Sequence, residues 1–550
     1  MKLEDILSIL EERGEKWMNV NQPIEIIGTP KSGMNGTAKI DFYPRQIAYC
    51  CKKEKEIELI ADKGGLTTSP ESCIIEDSIL RTETRVGDLS NDKGKGIGYS
   101  CKKDDAPISN KDAFKRKIDE MTESSLKEGL QNYWKYHVEY AEYENDKFKK
   151  FSREEPVNYV EGQKKLSVRI NRLGRILEET SEYLCKIKGV EDSIAKASIK
   201  RVDRLFISLE RDFEKGIAKR IIKTSDIGAY VSIYATMRDK ENKSVEYQET
   251  ICDVNIGRAL RKDRIWKITK ELEKKVKERI DCEIQPSGGY PIIMDGRALG
   301  VLFHEGAMAH LLSARFIDED HATTFEGKIG QKIMPEFISL YNDSTKEKQW
   351  GSYKYDEEGI QTQRIPIIEN GILKNYLQDR TTSGRRNTKS NGCSRESNED
   401  IGYSSEHLTE PRIGILEVKT SHKYRFPDLV KRMNEICKKR GLDYGLLVEG
   451  GGGEVFTGTG EFRIDPTYLY RIYIDGRIVP VSSAYILGNP YVMLNQIEML
   501  GGKDHRGYGF CGCDSGFVHT QEIAPYGLLT NAEIRKTGED APRKLEKPEK

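Results

Sequence analysis

The chain has 550 residues, with 89 Lys plus Arg set against 89 Asp plus Glu, and 32% of its residues are charged. That length allows two to four domains, each able to bury its own core, and the balanced charge gives no support for a polyanion-binding surface. No run approaches the ~18 apolar residues of a membrane span, so neither nucleic acid nor a membrane is expected as a partner.

In chain order, the opening MKLEDILSILEERGEKWM places acids inside an apolar helical pattern. It reads as an amphipathic helix and not as a secretory signal. Eleven scattered cysteines without paired CxxC knuckles fit a cytoplasmic protein with reduced thiols. Short apolar runs punctuated by Gly and Pro, such as IEIIGT and EIELIA, read as strands over the first hundred residues. Residues 111–148 contain no Pro and one Gly, with apolar residues at helical spacing, and predict a long charged helix; a second is expected at about 163–200. From residue 203 the text alternates like antiparallel strands, and RIWKITKELEKKVKERID is a further helix. Beyond it, ENGIL and IDGRI place Asn-Gly and Asp-Gly between apolar runs, a strong hairpin signal. The fold class is therefore α+β. A mixed N-terminal α/β domain (1–283) is followed by a mostly antiparallel β domain (284–536) carrying a His-Glu helix, and a disordered charged tail (537–550).

That helix, VLFHEGAMAHLLSARF, supplies the candidate chemistry. A zinc hydrolase needs three protein ligands and a nearby base. His304 and Glu305 offer an imidazole and a carboxylate in a suitable order, but the second histidine, His310, follows at an interval of six. Helix positions four apart differ by about 40° around the axis, whereas positions six apart differ by about 120° and lie about 9 Å apart along it. A regular helix would not bring both rings to one ion; it would have to widen by a π-bulge or end between them. Gly306 lowers the cost of that departure. Two histidines near an apolar run are, taken alone, more often core or surface residues. A third ligand would come from GYGFCGCDSGFVH, where glycines around Cys511 and Cys513 allow close backbone approach to an ion; the plain alternative is a tight turn with two buried thiols. Gly450, Gly451, Gly452 and Gly453 in VEGGGGEV would let a substrate backbone approach, or form a mobile loop. The remaining histidines, His137, His321, His407, His422, His505 and His519, lack partners at ligand spacing.

Several segments in fixed order, GRALGVLFHE, TTFEGKIGQKIMPEFISLYND, YDEEGIQTQRIPIIENGILKNYLQDRTTS, DYGLLVEGGGGE, LYRIYIDGRIVPVSSAYILGNP and GFCGCDSG…IAP, resemble the TldD/PmbA metallopeptidases, also called the modulator of DNA gyrase family. The likeness covers most of residues 150–535 and is closest to TldD-type subunits, which keep the His-Glu helix. It implies a C-terminal antiparallel sheet curled into a partial barrel, one zinc ion held by two His and a Cys, and a peptide channel between paired subunits. Carried over residue by residue, it makes His304 a zinc ligand, Glu305 the general base and Cys511 the sulfur ligand. The family's second histidine falls at an interval of five, on Ala309 here, so His310 is one place late: either the helix bulges further and His310 coordinates, or the site has lost a ligand. The family's small residue stands where this chain has Cys513, which is left out of the ligand set, and the SNGCSRES turn departs from the family's pattern around Arg395. The expected function is zinc-dependent hydrolysis of unfolded or small peptides, as a homodimer or as a heterodimer with a PmbA (TldE)-like subunit. The alternative is a catalytically inactive partner that shapes a peptide channel with an active paralogue.

Overall fold

The computed structural model describes residues 1–20, 22–27, 37–42, 44–69, 72–86, 98–139, 155–212, 216–318, 322–396, 409–482 and 484–538. Two large sheets organise them. The first contains β1 (Pro44–Asp62), β2 (Ile74–Val86), β3 (Gly98–Asp105), β4 (Val190–Asp212), β5 (Gly216–Arg238) and β6 (Ser244–Asp253). Their order is β6-β5-β4-β1-β2-β3, antiparallel at each junction. Helices α1 (Leu3–Met18), α2 (Lys111–Glu139) and α3 (Ile170–Cys185) pack against this sheet. The opening helix buries Ile6, Ile9, Leu10 and Trp17 in one core with Ile47, Tyr49 and Leu209.

The helix expected over 163–200 is corrected by the structure. It is confined to α3, and from Val190 the chain is strand β4. Gly189, at φ +89°, marks the break. Ser193, Ala195, Ala197 and Ile199 are buried at every second position, a strand period that good helix formers such as Lys and Ala disguise. Pairing with β1 on one edge and β5 on the other decides the outcome. Of the 111–148 helix, residues 140–148 lie outside the described residues, as do 539–550 of the charged tail.

Helix α4 (Lys262–Lys277) leads into the second half. It buries Ile265, Ile268, Leu272 and Val276 on one face, each contributing ~1.5–3 kcal/mol by leaving water. The second sheet contains β7 (Gly288–Met294), β8 (Ile338–Asp343), β9 (Arg364–Glu369), β10 (Ile415–Thr420), β11 (Tyr444–Val455), β12 (Phe462–Tyr473), β13 (Ile478–Ser482), β14 (Ala484–Gly488), β15 (Ile497–Cys513) and β16 (Gly516–Lys536). It runs β13-β12-β11-β7-β16-β10-β8-β9, and β15 pairs with β16. The β11–β7 and β16–β10 contacts are parallel and the other junctions in this series antiparallel. Strand β14 bonds both β12 and β16, so β7, β11, β12, β14 and β16 close into a ring. Both Asn-Gly residues of ENGIL have positive φ, 49° at Asn370 and 75° at Gly371, as a tight hairpin turn requires.

Helix α5 (Gly296–Phe303) lies against β11, β15 and β16 and leads directly into the His-Glu segment. Ion pairs join the first sheet to loops of the second half: Lys52 to Glu396 at 3.1 Å and Arg85 to Glu358 at 3.1 Å, both buried, and half-buried Arg204 to Glu357 at 3.0 Å, with Arg81 also on Glu396. Among the described residues, no helix is long and apolar enough to cross a membrane.

Candidate metal centre

The helix begins at Asp295, whose Oδ1 accepts the backbone N–H of Ala298 at 2.9 Å as an N-cap. The same oxygen accepts the N–H of Gly450 at 2.9 Å, and Oδ2 accepts Arg297 Nε at 3.0 Å. One carboxylate thus fixes the start of α5 relative to the glycine strand. Apolar Leu299, Leu302 and Phe303 anchor the helix in the core.

At His304 the geometry changes. Residues His304–Met308 form a π-helix, closed by the Ala309 N–H on the His304 carbonyl at 3.0 Å. The wider turn takes up part of the interval of six, and the chain leaves helical structure before His310, which stands in a turn. Ligand atoms of His304, His310 and Cys511 all lie within 4.8 Å of one another, and the three residues are buried. His310 Nε2 is 3.7 Å from Cys511 Sγ. A tetrahedral zinc with Zn–N of about 2.0–2.1 Å and Zn–S of about 2.3 Å holds nitrogen and sulfur about 3.6 Å apart, so the donors fit such an ion in type and spacing. His304 Nδ1 is 3.0 Å from Glu522 Oε1, an arrangement that leaves Nε2 for the ion and recurs behind metal-bound histidines. Close packing of α5 on β16 permits it: a Cβ on Gly300 would stand 2.5 Å from that of Glu522.

The charges of the site are coupled. Burial opposes a charged Cys511, but Arg412 and the two imidazoles outweigh it and hold the thiol well below its ordinary value. Burial likewise opposes a charged His304, yet the Cys511 thiolate and Glu522 draw positive charge onto the ring well above the usual imidazole range. Burial pushes the Glu305 carboxyl up, with His304 and His310 opposing the rise. A carboxylate so raised is a better proton acceptor near neutral pH.

Glu305 and His304 line a cleft of about 410 Å³ together with Gly450, Gly451, Gly452 and Gly453. These glycines belong to strand β11, paired through Gly451–Val455 with β12. The β7 ladder on the other edge ends at Val448, so that edge carries no strand beyond it among the described residues. Gly453 approaches Glu305 so closely that a Cβ there would sit 2.7 Å from Glu305 Cγ. Opposite, Arg506–Phe510 of β15 line the cleft; β15 pairs with β16 alone among the described strands. Tyr230 and Glu249 from the first sheet complete the wall.

Cys513 borders the site, and the other candidates fall elsewhere. Cys513 Sγ lies 3.7 Å from His310 Nδ1. Arg395 donates to the carbonyls of Ile413 and His519 at 2.9 and 2.8 Å. His422 stacks on Phe337, His519 on Trp350, and His505 Nδ1 stands 3.6 Å from Asp295. His321, His407 and the side chain of His137 lie outside the described residues. Sequence reasoning missed Asp295, Glu522 and Arg412. The Asp of MDGRA, three residues before an Ala on an apolar helix, carries a legible cap signal; Glu522, 218 residues from His304, carries none.

The model of the PmbA/TldA metallopeptidase C-terminal domain matches residues 287–535. Residues 287–535 are thereby a C-terminal domain of the TldD/PmbA family. A relative named metalloprotease TldD homolog, from Buchnera aphidicola subsp. Schizaphis graminum, is 31% identical over 46% of this chain and 49% of its own. A zinc metalloprotease TldD homolog of Saccharolobus solfataricus is 24% identical over 64% of this chain and 73% of its own. The match to the first spans about half of that relative's length. TldE from Thermococcus kodakarensis has the same fold, with a TM-score of 0.61 at 17% identity, covering 96% of this chain and 99% of that one.

Proposed function

We propose that this chain is a zinc-dependent peptidase acting on unfolded or small peptides. The observation that carries the reading is the convergence of His304, His310 and Cys511 within 4.8 Å, with His304 and Glu305 lining a cleft bordered by two strand edges. His304 and His310 would hold the ion through nitrogen and Cys511 through sulfur. Zinc bound there supplies Lewis-acid chemistry, polarising a carbonyl and acidifying water. Glu305 takes a proton from the attacking water and returns it to the leaving amine. Glu522 keeps the His304 ring turned, with Nδ1 engaged. An extended peptide lies along the free edge of β11, held by backbone hydrogen bonds that read little side-chain identity.

Eleven free cysteines suit the reducing cytoplasm. The shared fold with TldE supports assembly as a pair, with a second copy or with a TldE-like subunit enclosing the substrate.

The test is direct. Purified protein holds about one zinc per chain, as a single three-ligand site requires, and cleaves unstructured peptides. Glu305→Ala keeps the zinc and loses the cleavage. Zinc-free wild-type protein that takes up no added zinc overturns the reading.

A further inference from the structure

The two histidines are held differently. His304 belongs to the π-helix, and its Nδ1 meets the Glu522 carboxylate. His310 lies beyond the helix in a turn, where regular backbone geometry no longer aims the side chain. Instead, its ring stands between two sulfurs, each at 3.7 Å: Cys511 at Nε2 and Cys513 at Nδ1. The Phe316 ring meets it edge-on at 5.9 Å between centroids. Cys511 and Cys513 can bracket one imidazole because residues two apart on a strand point to the same face, here that of β15.

Behind the same turn lies the Glu410 carboxylate. That carboxylate is fully buried and fixed by the Ser515 N–H at 2.8 Å, by Arg412 at 3.3 Å and by Arg315. The Cys513 sulfur thus meets His310 Nδ1 as the Glu522 carboxylate meets His304 Nδ1.

Resting on the metal-site reading above, we propose that Cys513 is the positioning residue for His310: its sulfur accepts the Nδ1–H and so presents Nε2 to the ion. The role is separate from ligation. Cys513 meets the nitrogen that faces away from Cys511, and it stands outside the group of donors that converge within 4.8 Å. It also accounts for how a histidine placed outside the helix keeps a defined orientation. Partners that orient metal-bound histidines typically change metal affinity ~10–100-fold when lost.

The experiment is zinc titration of metal-free protein against a chromophoric chelator, for wild type, Cys513→Ala, Cys513→Ser and Cys511→Ala. The visible spectrum of each cobalt-loaded form is a second readout. Cys513→Ala is expected to bind zinc ~10–100-fold more weakly while retaining the thiolate–cobalt charge-transfer band, because Cys511 remains. Cys513→Ser, whose hydroxyl both accepts and donates, recovers most of the affinity. Cys511→Ala loses the band. Unchanged affinity in Cys513→Ala, or a serine variant as weak as the alanine one, overturns the proposal, and so does loss of the charge-transfer band in Cys513→Ala. Wild-type protein that fails to bind zinc at all instead sinks the metal-site reading. Equal thermal midpoints of the metal-free variants separate an affinity change from a folding defect.

Discussion

His304 Nδ1 and Glu522 Oε1 stand 3.0 Å apart, joining a helix to a strand 218 residues further along the chain. The carboxylate fixes which ring nitrogen carries the proton and raises the basicity of the other. Replacing Glu522 by Gln keeps the size and removes the charge. Zinc affinity is expected to fall ~10–100-fold, measured by chelator competition, with the unfolding midpoint of the metal-free protein little changed.

Gly453 sets the distance between the β11 edge and the proposed base. A methyl group there would stand 2.7 Å from Glu305 Cγ and 3.0 Å from Val301 Cγ1, so one of them must move. Displacement of a catalytic group by about 1 Å costs up to ~100-fold in rate. Gly453→Ala is expected to lower kcat/KM by that order with zinc content intact. A variant as active as wild type would show that Glu305 has no need of its present position.

Asp295 gives a pH dependence with a defined sign. Burial works against its charged form, but His505, Arg297 and the N–H groups of Gly450 and Ala298 outweigh that and hold its carboxyl at about 2. The unfolded value is about 3.9, so the native state binds fewer protons between the two. The stabilisation is complete above about pH 5 and is lost as pH falls through 2. Asp295→Asn is expected to cost about 2 kcal/mol at pH 7 by urea unfolding, and the gap from wild type to close towards pH 2.

Glu396 is the carboxylate shared by Arg81 and Lys52, all three buried. Removing one partner from a buried ion pair leaves uncompensated charge and costs ~3–5 kcal/mol. Glu396→Ala is expected to lower stability by that amount. A loss below ~1 kcal/mol, typical of a surface pair, would show that the network is not essential.

Legibility in the sequence followed the range of the interactions that decide each feature. The opening helix, α4 and the Asn370–Gly371 turn are set by neighbours within a few residues, and their signals were plain. The spacing of His304 and His310 showed that a regular helix was insufficient, and the structure has a π-helix there. Strand β4 was hidden because its buried alternate positions are small and its intervening residues favour helix. The glycine run reads as a strand only through the family resemblance, since glycine has little strand preference of its own; pairing with β12 imposes it. The support behind the histidines, Glu522 for one and Cys513 for the other, comes from segments remote in the chain and leaves no local pattern.

The ion pairs between the first sheet and the loops of the second half bear on what can be cut from the molecule. The family likeness occupies residues 287–535, and a break between 283 and 284 looks like a natural place to excise it. Yet such a cut would strand Arg81, Arg85 and Arg204 on one fragment and Glu396, Glu358 and Glu357 on the other. Each piece would expose formerly buried, like-signed charge along a fresh surface. The portion inherited as a recognisable module is smaller than the portion that must fold together.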